Sequence, residues 1–361
     1  MLNLVINKKK IIQNFNLLNT FTKKYKYDNL FFVLKGNAYG LGINEITSIL
    51  LEKKCTRFCV ARMEEAMLIR KLSKTAEIIL LSIIDDSDVA IAIKNNLYVS
   101  VSNTQQLKKY CTFGNKLKCQ LVINSGMNRI GFKNKNEFVK SYNTLLKSKV
   151  NVVGVFSHIY DNFNKDKIIK QINIFNDFVK ALPNWKNIKY RSIRASCGID
   201  NLDIIQKSEV ENTCRPGASL YGWDCGLDPK RYDNFNAIKL ICDVKQINIV
   251  NVGETVGYDG TYTAKQDNEY IAVLPCGYGD GYLKNMKNGY VYIKNIKYPI
   301  VGKIAMDTMM VKVDKNVKQG DIAELIRDEK HISDILTPLE NLDSYAVLSN
   351  LSVLRIKRII K

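Results

Sequence analysis

The chain has 361 residues, enough for one large α/β barrel or two ordinary domains with ample core. Hydrophobic residues make up 46% and charged residues 25%, the balance of a soluble globular protein, and no run is long and apolar enough for a signal peptide or a membrane span. The formal net charge of +19 is scattered through lysine–asparagine stretches such as KKKIIQNF, KNKNEF and KNIKY, without an aromatic–basic stripe, so it reads as solvated faces and not as a nucleic-acid footprint.

The first two thirds alternate strand and helix. β-rich runs are expected near 31–35, 58–61, 77–82, 97–101, 118–124, 152–158, 190–195 and 212–215. Helical patterns separate most of them; in MEEAMLIRKLS, Met63, Ala66, Met67 and Arg70 space one face beneath charges. Eight βα units in this length suit a TIM-type barrel, although a doubly wound open sheet would use a similar alternation. From about residue 236 the texture changes. LICDVKQINIV, YIAVLP, YVYIKNIKYPIVGKI and MMVKVD alternate or are β-branched between Gly-, Asn- and Asp-rich turns, which predicts a second, mostly β domain.

The nine cysteines form no framework. Cys55 and Cys59 are four apart with no matching pair or histidine downstream, so no metal site is expected. Cys119 and Cys242 lie in strand-like runs, as small buried hydrophobes of a reducing cytosol do. The expected location is cytoplasmic.

Residues 31–42, FFVLKGNAYGLG, hold the first chemical signal. Phe31 to Leu34 read as a buried strand, and Lys35 closes it. Burial lowers an ammonium's pKa, and a neutral amine at a strand mouth can form a Schiff base with an aldehyde such as pyridoxal phosphate. A lysine snorkelling from a strand end is the bland alternative. Other reactive groups fall at comparable places. Arg129 follows the fifth strand, His158 ends the sixth, Ser196 and Cys197 end the seventh, and Arg215 ends the eighth. Each has a structural reading of its own: a satisfied core histidine, or an arginine starting a turn. In a βα barrel, however, the strand ends converge over one mouth.

VLKGNAYGLG, SGMNRIG, VFSH, CRPGASLYG, VGYDGTY, LPCGYGDGY and VGKIAMD occur in the order and rough spacing of the bacterial alanine racemase family, which the chain resembles from about residue 31 to 310. The resemblance implies an α/β fold: an N-terminal (β/α)8 TIM-type barrel that binds pyridoxal 5'-phosphate, over residues 8–230, and a β-rich C-terminal domain over 231–361. The strand within 1–7 would join the latter. It implies a homodimer with shared active sites, an amino-acid substrate, neither nucleic-acid nor membrane partners, and a supply of D-amino acid for the cell wall. Lys35 resembles the lysine that bonds the cofactor and acts as one base, and Tyr258 the opposite base, delivered from the second subunit. Arg215 is similar to the arginine facing the pyridine nitrogen, and His158 to the histidine linking it with the tyrosine. Tyr39, Ser196, Cys197, Gly217 and Ala218 fall where the family holds the cofactor, chiefly its phosphate. Arg129 matches an arginine contacting the cofactor phenolate and the substrate carboxylate. Met306 and Asp307 match a segment reaching the partner's site, and Tyr278 a tyrosine of the substrate passage.

Racemisation by such a set needs a base on each face of a planar centre. Lysine and tyrosine both titrate near 10 when unperturbed, so both must be pushed down; Arg215 and His158 are the cations available to the tyrosine. The chain also departs from the family pattern. Val122 stands where many members brace the arginine with a lysine, leaving Asn124 or an anion for Arg129. Ser196–Cys197 replaces Asn–Ser, Ala305 replaces a cysteine, and LSNLSVLRIKR lacks the family's phosphate-binding tyrosine. L-/D-alanine interconversion is the expected reaction. A serine or broad-specificity racemase, a non-catalytic pyridoxal phosphate binder and a decarboxylase on the same architecture are the alternatives.

Overall fold

The computed structural model describes residues 1–222, 237–336 and 344–361, except the side chains of residues 329, 344 and 345. The expected domain boundary between 230 and 231 lies outside the described residues. The chain divides into two compact units. Ile11–Gly36 and Ile46–Phe235 form one; Met1–Lys10, Asn37–Glu45 and Asn236–Lys361 form the other.

After β1 (Asn3–Ile6) and α1 (Lys8–Lys24), the chain runs through β2 (Asn29–Leu30), β3 (Phe32–Val33), α2 (Lys35–Tyr39), α3 (Ile43–Glu52), β4 (Arg57–Val60), α4 (Met63–Leu72) and β5 (Glu77–Leu80), with Asn37–Glu45 belonging to the second unit. There follow α5 (Val89–Lys94), β6 (Leu97–Val101), α6 (Gln105–Tyr110), β7 (Lys118–Val122), α7 (Lys135–Lys147), β8 (Asn151–Phe156), α8 (Lys165–Lys180), β9 (Tyr190–Ser192), α9 (Ser196–Asp200) and β10 (Thr213–Cys214). β3 to β9 pair in parallel in sequence order. The ring closes through β10 beside β2 and a bridge between Ala195 and Arg215. Phe31 N–H donates to the Cys214 carbonyl at 3.0 Å and Val33 N–H to that of Pro216 at 2.8 Å, so β2 and β3 act as one strand in a curled parallel sheet.

Local chemistry accounts for the helices. α1 buries Ile11, Phe15 and Leu18 along one face. In α4 the buried face is Ala66, Ile69 and Arg70, with Met67 at its margin. Asparagines from the lysine-rich stretches do specific work: Asn134 accepts the Glu137 N–H at 3.1 Å and Asn164 the Lys167 N–H at 3.0 Å, capping α7 and α8.

At the N-terminal end of the barrel, Glu77 accepts from Tyr98 Oη at 2.7 Å, from Lys189 Nζ at 2.9 Å, from Arg57 Nε at 3.3 Å and from Tyr190 Oη. Burial works to raise this carboxyl's pKa, but the bonds from Lys189, Tyr190 and Tyr98 outweigh it and hold the group at about 2. A folded pKa below the unfolded one contributes stability above pH ~4.3, and that contribution fades as pH falls toward 2. Glu77→Gln is therefore expected to cost about 1–2 kcal/mol at pH 7 and to converge with the wild type near pH 2–3, read from denaturation midpoints at both pH values.

The second unit is a nine-stranded sheet. Its strands are β1, β11 (Ile238–Asp243), β12 (Gln246–Val250), β15 (Glu269–Leu274), β16 (Tyr290–Ile293), β17 (Ile296–Val301), β18 (Met309–Val313), β19 (Ile322–Ile326) and β20 (Lys357–Ile360). The hairpin β13 (Thr255–Val256) and β14 (Tyr262–Thr263) stands outside this sheet. β1 lies antiparallel to β11 and parallel to β20.

Directly after Lys35 the backbone winds left-handed. Gly36, Asn37, Ala38, Tyr39 and Gly40 have φ of 63°, 54°, 54°, 57° and 85°. This is a tighter departure than the ordinary turn that GNAYG suggests, costing about 1–2 kcal/mol for each non-glycine residue. Contacts within the second unit oppose that cost. Arg358 Nη2 donates to the Gly40 carbonyl at 2.7 Å, and Asn37 Oδ1 accepts the Ile43 N–H at 2.9 Å. A side chain at Gly40 would meet the Leu348 carbonyl at 1.7 Å, so the position requires glycine twice over.

Candidate active site

Lys35, Arg129, His158 and Arg215 leave the C-terminal ends of four barrel strands and come within electrostatic reach of one another. Lys35 is not sealed as the apolar run before it suggests; its side chain remains open to solvent. The protein packed round its amine still lowers the pKa, and the charges of Arg129 and Arg215 add to this while Glu65 opposes it. His158 is half-buried, and desolvation with the neighbouring Arg215, Arg129 and Lys35 holds it down at about 3. It is therefore neutral at physiological pH. This corrects the expectation that His158 supplies a positive charge: of the two cations offered to the tyrosine, only Arg215 carries one.

Arg215 is 3% exposed, its guanidinium lies 4.7 Å from the centroid of the Phe156 ring, and its Nη2 donates to the Ser157 carbonyl. Burial brings it down to about 10, still protonated near neutrality. Its Nη1 is buried with no partner among the described residues. A buried charged donor left unmatched is costly, so this atom awaits an acceptor.

The ends of β9 and β10 are joined by Arg215 N–H donating to the Arg194 carbonyl at 3.1 Å. Ser196 Oγ accepts the Gly217 N–H at 2.9 Å and the Ser219 N–H at 3.2 Å. Ser196 is thus a clamp between the two loops, and the Gly217 amide, expected to face a phosphate, is already engaged. Ala218 sits between the clamped residues and is 7% exposed. Behind them lies an ion pair that no local pattern announces. Arg194 and Glu211 meet at 2.8 Å with both side chains fully buried, and Arg194 also reaches the carbonyls of Ile205 and Gln206 at 3.0 Å. Cys197 carries no free thiol: its sulfur is in a disulfide, so in this form it offers no S–H to a phosphate. The other described cysteines are free, and burial pushes Cys59 and Cys242 up to about 12.

Val122 is buried and its carbonyl accepts the Phe132 N–H at 2.9 Å. Asn124 is not the brace for Arg129. Its Oδ1 accepts the Gly126 and Asn128 N–H groups at 3.0 and 3.1 Å, and its amide nitrogen donates to Asn128.

In the second unit Tyr278, Met306 and Asp307 are brought together. The Tyr278 N–H donates to the Ala305 carbonyl at 3.0 Å, and Gly279 to Met306 at 2.9 Å. A Cβ at Gly277 would lie 2.2 Å from the Ala305 carbonyl oxygen, so only glycine permits this approach. Arg355 ties the pair of segments by bonding Asp280 at 3.2 Å and Asp307. Lys284 Nζ stands 4.0 Å from the Tyr278 ring centroid. Tyr258 tops the β13–β14 hairpin and is 69% exposed; Met306 is 53% exposed. Tyr39 lies half-buried in the left-handed turn.

Two family models match nearly the whole chain, "Alanine racemase, N-terminal domain" over residues 6–224 and "Alanine racemase, C-terminal domain" over 237–360. The chain belongs to the alanine racemase family. A relative, the alanine racemase of Rickettsia bellii, is 32% identical over 343 residues, covering 90% of this chain and 80% of the relative. Among solved structures, the alanine racemase of Bartonella henselae with covalently bound pyridoxal phosphate has 24% identity and a TM-score of 0.86, covering 100% of this chain and 99% of its own. The histidine racemase of Leuconostoc mesenteroides subsp. sake is similar at 22% identity, with a TM-score of 0.86 and 100% and 98% coverage. Those two likenesses are of fold. The alanine racemase fold thus carries more than one amino-acid specificity. In this member of the alanine racemase family, Val353 and Leu354, in the tail that lacks the expected tyrosine, are 65% and 96% exposed.

Proposed function

We propose that this protein interconverts L- and D-alanine with pyridoxal 5'-phosphate, using Lys35 and a partner subunit's Tyr258 as its two bases. The observation that carries the reading is the cationic cluster at the barrel mouth: a lysine amine pushed toward its neutral form beside an arginine donor, Arg215 Nη1, with no partner among the described residues. These residues fit the cofactor. Lys35 would hold its aldehyde, Arg215 its pyridine nitrogen, and the Ser196 and Gly217–Ala218 loops its phosphate. Bound there, the group acts as an electron sink that makes the substrate Cα–H acidic enough to ionise.

The chain supplies everything else. Lys35 Nζ removes or returns the Cα proton on one side, and Tyr258 Oη does so on the other. Arg215, charged throughout the neutral range, cannot hand its proton to a ring nitrogen, which limits charge spread and suppresses side reactions such as transamination. Arg129 would orient the substrate carboxylate, with Met306, Asp307 and Tyr278 limiting access. The exposure of Tyr258 and Met306 supports a homodimer in which these groups enter the neighbouring site.

The test is chiral product analysis of the purified protein with a panel of L-amino acids that includes alanine, serine and histidine. The highest kcat/KM is expected for alanine. A preference for serine or histidine would overturn the substrate assignment. Cofactor binding without exchange of the Cα proton for solvent deuterium would make the protein a carrier.

A further inference from the structure

We propose that Glu65 is a positioning residue for Lys35, its carboxylate clasping the backbone that follows the lysine. The inference rests on Lys35 as the cofactor-bearing lysine. Glu65 Oε1 accepts the Gly36 N–H at 2.6 Å. Its Oε2 accepts the Ala61 N–H at 3.0 Å and the Arg62 N–H at 3.1 Å. One carboxylate therefore ties the residue after Lys35 to the loop that leaves β4. Three N–H donors on one acceptor group make charge-assisted bonds, stronger than neutral ones.

The position matters because of what comes next. From Gly36 onward the chain is left-handed, so the backbone has left its favoured wells at the point where the lysine side chain must be aimed. A rigid tether at the Gly36 amide fixes that starting vector. Glu65 is also an acidic group whose charge acts on the lysine. Arg129 and Arg215 disfavour a protonated Lys35, Glu65 favours one, and His158, itself neutral, adds no charge. The opposed charges set how readily the amine holds a proton, the property a base depends on.

An alternative role, as an ordinary acidic residue of the first turn of α4, predicts a loss of stability and nothing more. The two roles separate in the holoenzyme. With pyridoxal phosphate bound, the lysine-linked chromophore titrates with pH. Glu65→Gln is expected to move its midpoint downward by about one unit, a roughly tenfold change in the protonation constant, because an anion no longer favours the charged form. Glu64→Gln, the same charge change one residue away on an exposed side chain, is expected to leave it unmoved. An unshifted midpoint in Glu65→Gln, even with a lowered Tm, would reduce Glu65 to a helix cap and overturn the proposal.

Amide exchange at Gly36 in the wild type provides a check independent of any variant. Protection roughly tenfold or more above an unbonded loop amide is expected, and free exchange would overturn the clasp. Failure of the broader reading looks different: borohydride would then fail to fix the cofactor to the peptide containing residue 35 in the wild type itself.

Discussion

Lys35→Ala is expected to lose racemisation by at least ~10³-fold in kcat/KM, since under the proposed function one substitution removes both the covalent anchor and one of the two bases. Two measurements check it. Borohydride reduction followed by peptide mapping should attach the cofactor to residue 35 in the wild type and to no lysine in the variant. The variant should also release pyridoxal phosphate on gel filtration more readily than the parent. A variant that keeps the lysine-linked absorbance band would remove Lys35 from this role. Desolvation, with the charges of Arg129 and Arg215, makes the ammonium form less favourable at a strand end open to solvent, so the amine is reachable and holds its proton less firmly.

Tyr258→Phe is expected to reduce turnover by about 10²–10⁴-fold, the range for losing a positioned acid–base group. With Tyr258 on the L face, abstraction of the Cα proton from L-alanine should suffer more than abstraction from D-alanine, seen as unequal solvent-deuterium incorporation. Equal losses would contradict the assignment. The tyrosine tops a hairpin held by Gly257 at φ 77° and by an ion pair between Lys303 and Asp259, so the phenyl replacement leaves its support intact. If the tyrosine serves the neighbouring subunit's site, mixing Lys35→Ala and Tyr258→Phe subunits should restore one working site per heterodimer. Absence of recovery, with subunit exchange demonstrated, would show that each site is self-contained.

Much of the barrel was legible because its strands announce themselves. Buried parallel strands are continuous apolar runs, and each expected run overlaps an observed strand. Strand ends in a closed barrel share one mouth by geometry, so the order of strands alone groups Lys35, Arg129, His158 and Arg215. The motif set in turn identified the family that the comparisons report. The left-handed run from Gly36 to Gly40 was not legible, because Ala38 and Tyr39 have no local preference for positive φ. It persists through Arg358, which is more than 300 residues away in sequence. Nor could the clasp at Glu65 be read, since a glutamate three residues into a helix normally signals only a cap.

By itself, then, the sequence determined the order of strands and helices, the change of texture near residue 236 and which candidate side chains follow the strand ends, because these follow from local pattern and covalent order. Tertiary structure alone decided their chemical states. His158 is neutral and not cationic, Ser196 is committed to the Gly217 and Ser219 amides, Asn124 is spent on its own loop, and Arg194 is buried against Glu211. The reason is physical: a proton's affinity and a hydrogen bond's partner depend on solvent access and on charges a few ångströms away. Those distances are set by packing between segments far apart in the chain, which no short stretch of residues encodes.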